Sequence, residues 1–220
     1  MQKWFNAEDV VVKSDKAVYR DGLILQRRCA RLRHSRGGGY WRRHISAERG
    51  EWLHPRISHV ARRCVGVDLQ GNQLAGIRKH GYEMLVTADV ERLPFRECFD
   101  VVVAGELVEH LYNVGLFLRS AWLALRQGGE LLISTPNCWS LSRVLYVAVG
   151  TREVTHPEHT CYYSCQTLRY VLEQHGFDVE ITGLPEPLRS RVLSEVYRLV
   201  ALKRPIMSQT IFAVGRKLGR

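Results

Sequence analysis

Short runs of small and β-branched residues recur along this chain with helix-forming stretches between them, and three of the runs end on an acid. The runs are Cys64–Leu69 (CVGVDL), Met84–Asp89 (MLVTAD), Phe99–Leu107 (FDVVVAGEL) and Glu130–Pro136 (ELLISTP). FDVVVAGEL has too little polar alternation to leave a face in water, so both of its faces must be covered. Between the runs, residues 54–63 suit a short helix. Asn72–His80 reads as a helix closed by Gly81, and Asn113–Gln127 as an amphipathic helix stopped by Gly128-Gly129. Ser164 can cap a helix running to His175 before Gly176, and residues 177–184 and 209–217 make two last strands. Repeated strand–helix alternation argues for a mostly parallel sheet with helices on both faces.

The length of 220 residues fits one α/β domain with a substantial core. No apolar stretch reaches the roughly eighteen residues that a membrane-spanning helix needs. The start, MQKWFNAEDVVVKSDK, lacks the pattern of a secretory signal, so a cytoplasmic location without a transmembrane segment is expected. The six cysteines are scattered, which favours reduced, mostly buried thiols.

The net charge of +10 is unevenly placed. Residues 1–63 hold fifteen Lys or Arg against six Asp or Glu, and residues 64–220 hold seventeen against sixteen. The sequence therefore divides into a basic N-terminal segment of uncertain structure, residues 1–50, and one domain, residues 51–220. An Arg-rich third suggests an RNA-associated protein, but Tyr40 and Trp41 are the only aromatics interleaved with the arginines and the remainder is nearly neutral. Nucleic acid is therefore not the expected partner.

In an open parallel sheet, ligands bind beyond the carboxyl ends of the strands. Asp68, Asp89 and Glu106, with Glu109 and His110 just beyond, all fall at that end. A carboxylate ending the second strand can accept both hydroxyls of a ribose, and one a strand further out can sit by an adenine. Each of these acids could instead simply cap a turn. A nicotinamide-dependent enzyme is disfavoured, because no G-x-G-x-x-G follows a strand.

VGVDL, ADVERLPF, FDVVVAGELVEHL and LRQGGELLISTPN, in this order and spacing, resemble the successive motifs of class I S-adenosylmethionine-dependent methyltransferases. The likeness is to the branch that includes quinone-biosynthesis and cell-surface-glycan enzymes, and it covers about residues 50–182. It implies a Rossmann-like α/β methyltransferase fold with strand order 3-2-1-4-5-7-6 and an antiparallel last strand. It implies S-adenosylmethionine as cofactor, with Asp68 and Leu69 at the ribose, Asp89 and Val90 flanking the adenine, and Ala104, Gly105 and Glu106 at the methionine end. The activity implied is methyl transfer to a small-molecule or lipid- or glycan-linked acceptor. An inactive methyltransferase-like binding module is the alternative.

An oxygen nucleophile is helped by a base, and imidazole titrates near neutrality, so His110 and His159 are the candidate catalytic residues. Glu109, Asn137, His156 and Tyr162 are candidate substrate contacts, the last two on a loop that in the family roofs the substrate pocket. His156, His159, Cys161 and Cys165 are zinc-type ligands, but their spacings match no standard zinc knuckle, and no metal is expected. The apolar Trp139–Val149 stretch lacks the basic face of an interfacial helix and reads as core.

The family's first strand ends Val-Leu-Asp-x-Gly and enters a glycine-rich turn where the backbone approaches the cofactor. Where it should lie, residues 27–43 carry seven arginines, which could not be buried unpaired at a sheet's centre. The first strand is therefore expected to be missing or irregular, with a severe loss of cofactor affinity. Read one base forward from the codon of Cys29, the degenerate codons through His34 permit Val-Leu-Asp-x-Gly. A local frame disturbance over residues 27–48 accounts for this. Sequencing the DNA over codons 25–52 should show a frame change on either side of the Arg-rich run; an undisturbed frame that relatives share would refute it.

Overall fold

The computed structural model describes residues 21–25, 57, 61, 63–69, 71–79, 81–148, 150, 158–184 and 204–219. Seven strands form one sheet: β1 (Asp21–Leu25), β2 (Arg63–Asp68), β3 (Leu85–Thr87), β4 (Phe99–Gly105), β5 (Leu125–Pro136), β6 (Phe177–Leu184) and β7 (Thr210–Lys217). Their order is β3-β2-β1-β4-β5-β7-β6. Pairing is parallel throughout β1 to β5, and β7 runs antiparallel to both β5 and β6. This is the order and polarity expected from the motifs.

The expectation of a missing first strand is corrected. Asp21–Leu25 occupies the centre of the sheet, pairing Leu23 with Val65 of β2 and with Val102 of β4. Its five residues, DGLIL, are too short to stand out by periodicity, and an Arg-rich run follows them directly. Hydrogen-bonding partners on both sides hold a strand that local sequence signals only faintly. The Arg-rich segment 27–48 itself lies outside the described residues, as does nearly all of the helix expected over 54–63.

Four helices are described: α1 (Gly71–Arg78), α2 (Val114–Ala124), α3 (Leu141–Ala148) and α4 (Cys165–Gln174). On one face of the sheet, Val102, Ala104, Leu131, Ile133, Ile211 and Ala213 pack with Phe117, Leu118 and Ala121 of α2 and with Leu168 and Leu172 of α4. On the other face, Val101, Val103, Leu132 and Phe212 pack against the helical residue Ile57. Strand alternation thus feeds two cores, and β4 is buried on both sides as its composition requires. Each fully buried valine contributes about 1.5–3 kcal/mol. Ser164 begins α4 as expected: its hydroxyl accepts from the Thr167 amide at 3.1 Å, and the Thr167 hydroxyl accepts in return from the Ser164 amide at 2.9 Å.

Three sequence expectations need correcting. Helix α2 ends at Ala124, short of Gly128. Leu125 turns extended because it pairs with Phe99, and its carbonyl accepts from the buried ammonium of Lys217 at 2.7 Å. That ammonium also lies over the Trp122 ring, 3.9 Å from its centroid. The Trp139–Val149 stretch is not core throughout, since Trp139 and Val147 are 59% and 62% exposed. Among the described cysteines only Cys64 is buried, and that burial pushes its thiol up to about 12.

The glycine pair turns the chain into the paired part of β5. Gly128 adopts φ +73° in open space, whereas a Cβ on Gly129 would lie 2.9 Å from the Arg126 carbonyl oxygen and 3.0 Å from that of Asp100. Both obstacles are backbone, which cannot step aside. Gly129→Ala should therefore cost about 3 kcal/mol and Gly128→Ala about 1 kcal/mol in urea unfolding. Equal losses would contradict this packing.

Candidate active site

The parallel register brings the carboxyl ends of the central strands level. Leu25 pairs with both Val67 and Ala104, Asp68 with Thr87, and Ala104 with Ile133. Asp68 is half-buried at this edge, and Leu69 beside it is 68% exposed. Asp89 serves as the N-cap of the 3-10 turn Val90–Arg92, its Oδ1 accepting from the Glu91 amide at 2.9 Å. The turn-capping role open to each acid is thus real for Asp89, and half-buried Val90 follows it. Ala104 needs a correction: its side chain is fully buried in the core, so only its backbone can reach the edge. Gly105, the last residue of β4, is half-buried.

Beyond β4 the chain makes a sharp left-handed bend at Glu106, whose φ of +50° costs a non-glycine residue about 1 kcal/mol. The bend is held by the Glu106 amide, which donates to the Ser134 carbonyl at 2.9 Å and to its hydroxyl at 3.2 Å. It feeds a second 3-10 turn, Val108–His110, whose three residues are all buried. The bend therefore lifts Glu109 and His110 over the ends of β4 and β5.

Glu109 is 2% exposed. Its Oε2 accepts from the hydroxyl of Thr135 on β5 at 2.9 Å, and its Oε1 has no hydrogen-bond partner among the described residues. Burial first, and then the nearby Glu106 carboxylate, push the Glu109 carboxyl well above its ordinary value, against the opposing pull of its own backbone amide, Thr135 and Arg143. Burial and the neighbouring carboxylate thus favour the protonated form of Glu109.

A loop from the far side of the sequence closes on this turn. The Glu158 carbonyl accepts from Nδ1–H of His110 at 3.2 Å, and the His159 ring stands edge-on to the His110 ring with centroids 4.6 Å apart. Thr160 donates its amide to the Glu109 carbonyl at 2.8 Å, and its hydroxyl lies 2.7 Å from the Leu111 carbonyl. Glu109, His110 and His159 each bring one ligand-type atom within 4.8 Å of the others. That spacing is wider than a hydrogen bond, and a cation held there would need Glu109 deprotonated, which its burial opposes.

The remaining expected residues divide. Tyr162 is 48% exposed at the rim of the same loop. Asn137 needs a correction: it is fully buried, its amide donating to the carbonyls of Ile206 and Ser208 and accepting from the Trp139 amide, so it ties the chain before β7 to the end of β5. His156 lies outside the described residues. Thr135, Glu158 and Thr160 were not legible as site residues, because their partners lie 26 to 51 residues away and no local pattern links them.

An acid, Asp68, thus stands at the end of β2 with an exposed leucine, Leu69, beside it. The titration of Glu109 supplies a check. Its carboxyl has an ordinary value of 4.5 and a higher value in the folded chain, so between the two the folded state binds a proton that the unfolded state releases. This contribution to stability is complete below 4.5 and is lost as pH rises through the folded value. Glu109→Gln should gain in Tm relative to the unsubstituted chain as pH is taken from about 5 to about 8. A Tm difference independent of pH would contradict a buried neutral acid.

A family model for a methyltransferase domain matches residues 50–133, beginning just after the Arg-rich segment. A Mycolicibacterium smegmatis protein named for S-adenosylmethionine-dependent methyltransferase activity is 32% identical over 128 residues, covering 57% of this chain and 48% of its own. A ubiquinone biosynthesis O-methyltransferase of Bradyrhizobium diazoefficiens is 33% identical over 140 residues, covering 58% of this chain and 55% of its own. The chain thus spans about half the length of these curated relatives. Among solved structures, an S-adenosylmethionine-dependent methyltransferase from Archaeoglobus fulgidus has a TM-score of 0.59 at 21% identity, covering 96% of this chain and 91% of its own. Another, from Mesorhizobium loti, has a TM-score of 0.55 at 16% identity, covering 96% and 98%. Residues 50–133 are thus similar to a methyltransferase domain, the curated relatives they resemble are named for S-adenosylmethionine-dependent or ubiquinone-biosynthesis methyl transfer, and the fold is that of the methyltransferase structures.

Proposed function

We propose that this chain transfers a methyl group from S-adenosylmethionine to a hydroxyl of a small-molecule or lipid- or glycan-linked acceptor. The observation that carries the reading is the Glu109–His110–His159 cluster, poised over the ends of β4 and β5 beside the strained Glu106 bend. The curated relatives named as ubiquinone biosynthesis O-methyltransferases support an oxygen acceptor.

Bound, S-adenosylmethionine supplies an electrophilic sulfonium methyl carbon. The protein's task is then to align the acceptor behind that carbon and to remove its proton. Asp68 would accept hydrogen bonds from the ribose hydroxyls, Leu69 and Val90 would cover the adenine, and the Gly105–Glu106 backbone would face the methionine end. The Glu158 carbonyl can only accept, so Nδ1 of His110 carries the hydrogen and Nε2 of the neutral ring is its basic nitrogen. His110 takes the acceptor's proton there. The edge-on ring of His159 fixes the His110 plane and is the nearest group able to pass the proton onward. Glu109, neutral, avoids trapping that proton in an ion pair with His110. Tyr162 contacts the acceptor at the rim.

Calorimetric titration with S-adenosylhomocysteine, followed by methyl transfer to a panel of phenols, tests the reading. Binding should occur and be weakened about ten- to a hundredfold by Asp68→Ala. His110→Asn should lower kcat about a hundredfold or more with cofactor affinity retained. No heat of binding would favour an inactive module, and salt-sensitive RNA binding in its place would favour the basic N-terminal third.

A further inference from the structure

Thr160 is exposed, carries no charge and belongs to none of the motifs, yet it makes the shortest of the bonds that join the roof loop to the His110 turn, beside a weaker one from the Cys161 thiol to the Val108 carbonyl. Its amide donates to the Glu109 carbonyl at 2.8 Å. Its hydroxyl lies 2.7 Å from the Leu111 carbonyl and 3.1 Å from that of Glu109. A hydroxyl has one hydrogen, so the shorter contact to Leu111 takes most of it. Residue 160 is thereby pinned to both sequence neighbours of His110. Two residues earlier, Glu158 presents its carbonyl to Nδ1 of His110 at 3.2 Å.

We propose that Thr160 is a positioning residue that sets the tautomer of His110. The carbonyl that holds the hydrogen on Nδ1 is a backbone group on a loop, and a loop carbonyl stays in place only if the loop is fastened. The Thr160 hydroxyl supplies that fastening across the turn. Its removal leaves the Thr160 amide on the Glu109 carbonyl and the weak bond of the Cys161 thiol to the Val108 carbonyl at 3.6 Å, the Glu158 carbonyl drifts from Nδ1, and the hydrogen distributes over both ring nitrogens. Nε2 is then no longer reliably the basic nitrogen. The same second-partner logic governs other functional histidines, in which the hydrogen bond at one ring nitrogen decides what the other can do. The functional consequence rests on the reading of His110 as the base; the tautomer itself does not.

The test compares the unsubstituted chain with Thr160→Val, which keeps the shape without the hydroxyl, and Thr160→Ser, which restores the hydroxyl. Each is labelled with 15N and saturated with S-adenosylhomocysteine. The His110 ring is assigned by the signals lost in His110→Asn, and long-range proton–nitrogen correlation reads which ring nitrogen bears the hydrogen. The unsubstituted chain and Thr160→Ser should show hydrogen on Nδ1 and a lone pair on Nε2. Thr160→Val should show averaged nitrogens, with kcat toward a phenol about tenfold lower and KM for S-adenosylmethionine unchanged. Unaltered His110 nitrogens in a folded Thr160→Val, or averaging in Thr160→Ser equal to that in Thr160→Val, would overturn the proposal. Should Thr160→Val not fold, Thr160→Ala is read by the same signals. Full activity in His110→Asn would instead sink the base reading while leaving the tautomer measurement to stand or fall by itself.

Discussion

Val101, Val102, Val103 and Ala104 are buried alternately against the two faces of the sheet, and β4 cannot shift by one residue without exchanging which of them meets which core. That double-sided burial fixes where β4 stops. The strand ends at Gly105, the next residue must bend, and the Ser134 carbonyl and hydroxyl hold the Glu106 amide in the bend. The geometry of the site descends from this lock, since the turn carrying Glu109 and His110 starts from a backbone with no freedom left. Strain at Glu106 persists because the strands on either side over-determine it.

The same burial gives the site its electrostatic character. A carboxyl buried in the chain and placed near a second carboxylate favours its protonated form. An ionised Glu109 beside His110 would raise the basicity of the imidazole and stabilise its protonated form. A neutral Glu109, anchored through one oxygen by Thr135, instead leaves proton traffic to the two imidazoles. The two halves of this arrangement come from β4 and from the segment before α4, and backbone carbonyls join them more than charged side chains do.

The motifs placed at the carboxyl edge were readable because a strand that ends on an acid is a local pattern, and three such strands followed by a glycine turn and a fourth leave few folds to choose between. The helix beginning at Ser164 was equally readable from its cap. The strand at Asp21–Leu25 was not, because five residues hold too little periodicity and a parallel strand finds its partners far along the chain. Nor was the true end of α2, which Leu125 decides through its pairing with Phe99 and its bond to Lys217 rather than through the glycines that follow. Asn137 misled for the opposite reason: an asparagine at a strand end looks functional until its amide is found bound to the backbone of residues 206 and 208.

The sequence by itself determined the fold class, the likeness to methyltransferases and the acids at the edge, since these follow from residue type and spacing within single elements. Only the tertiary structure decided that His159 stands against His110, that Glu158 rather than a side chain holds Nδ1, and that Thr160 fastens the two together. Those contacts join residues some 50 positions apart, where the chain meets itself through packing and where the protonation of a carboxyl or an imidazole is set by burial and neighbours rather than by its place in the sequence.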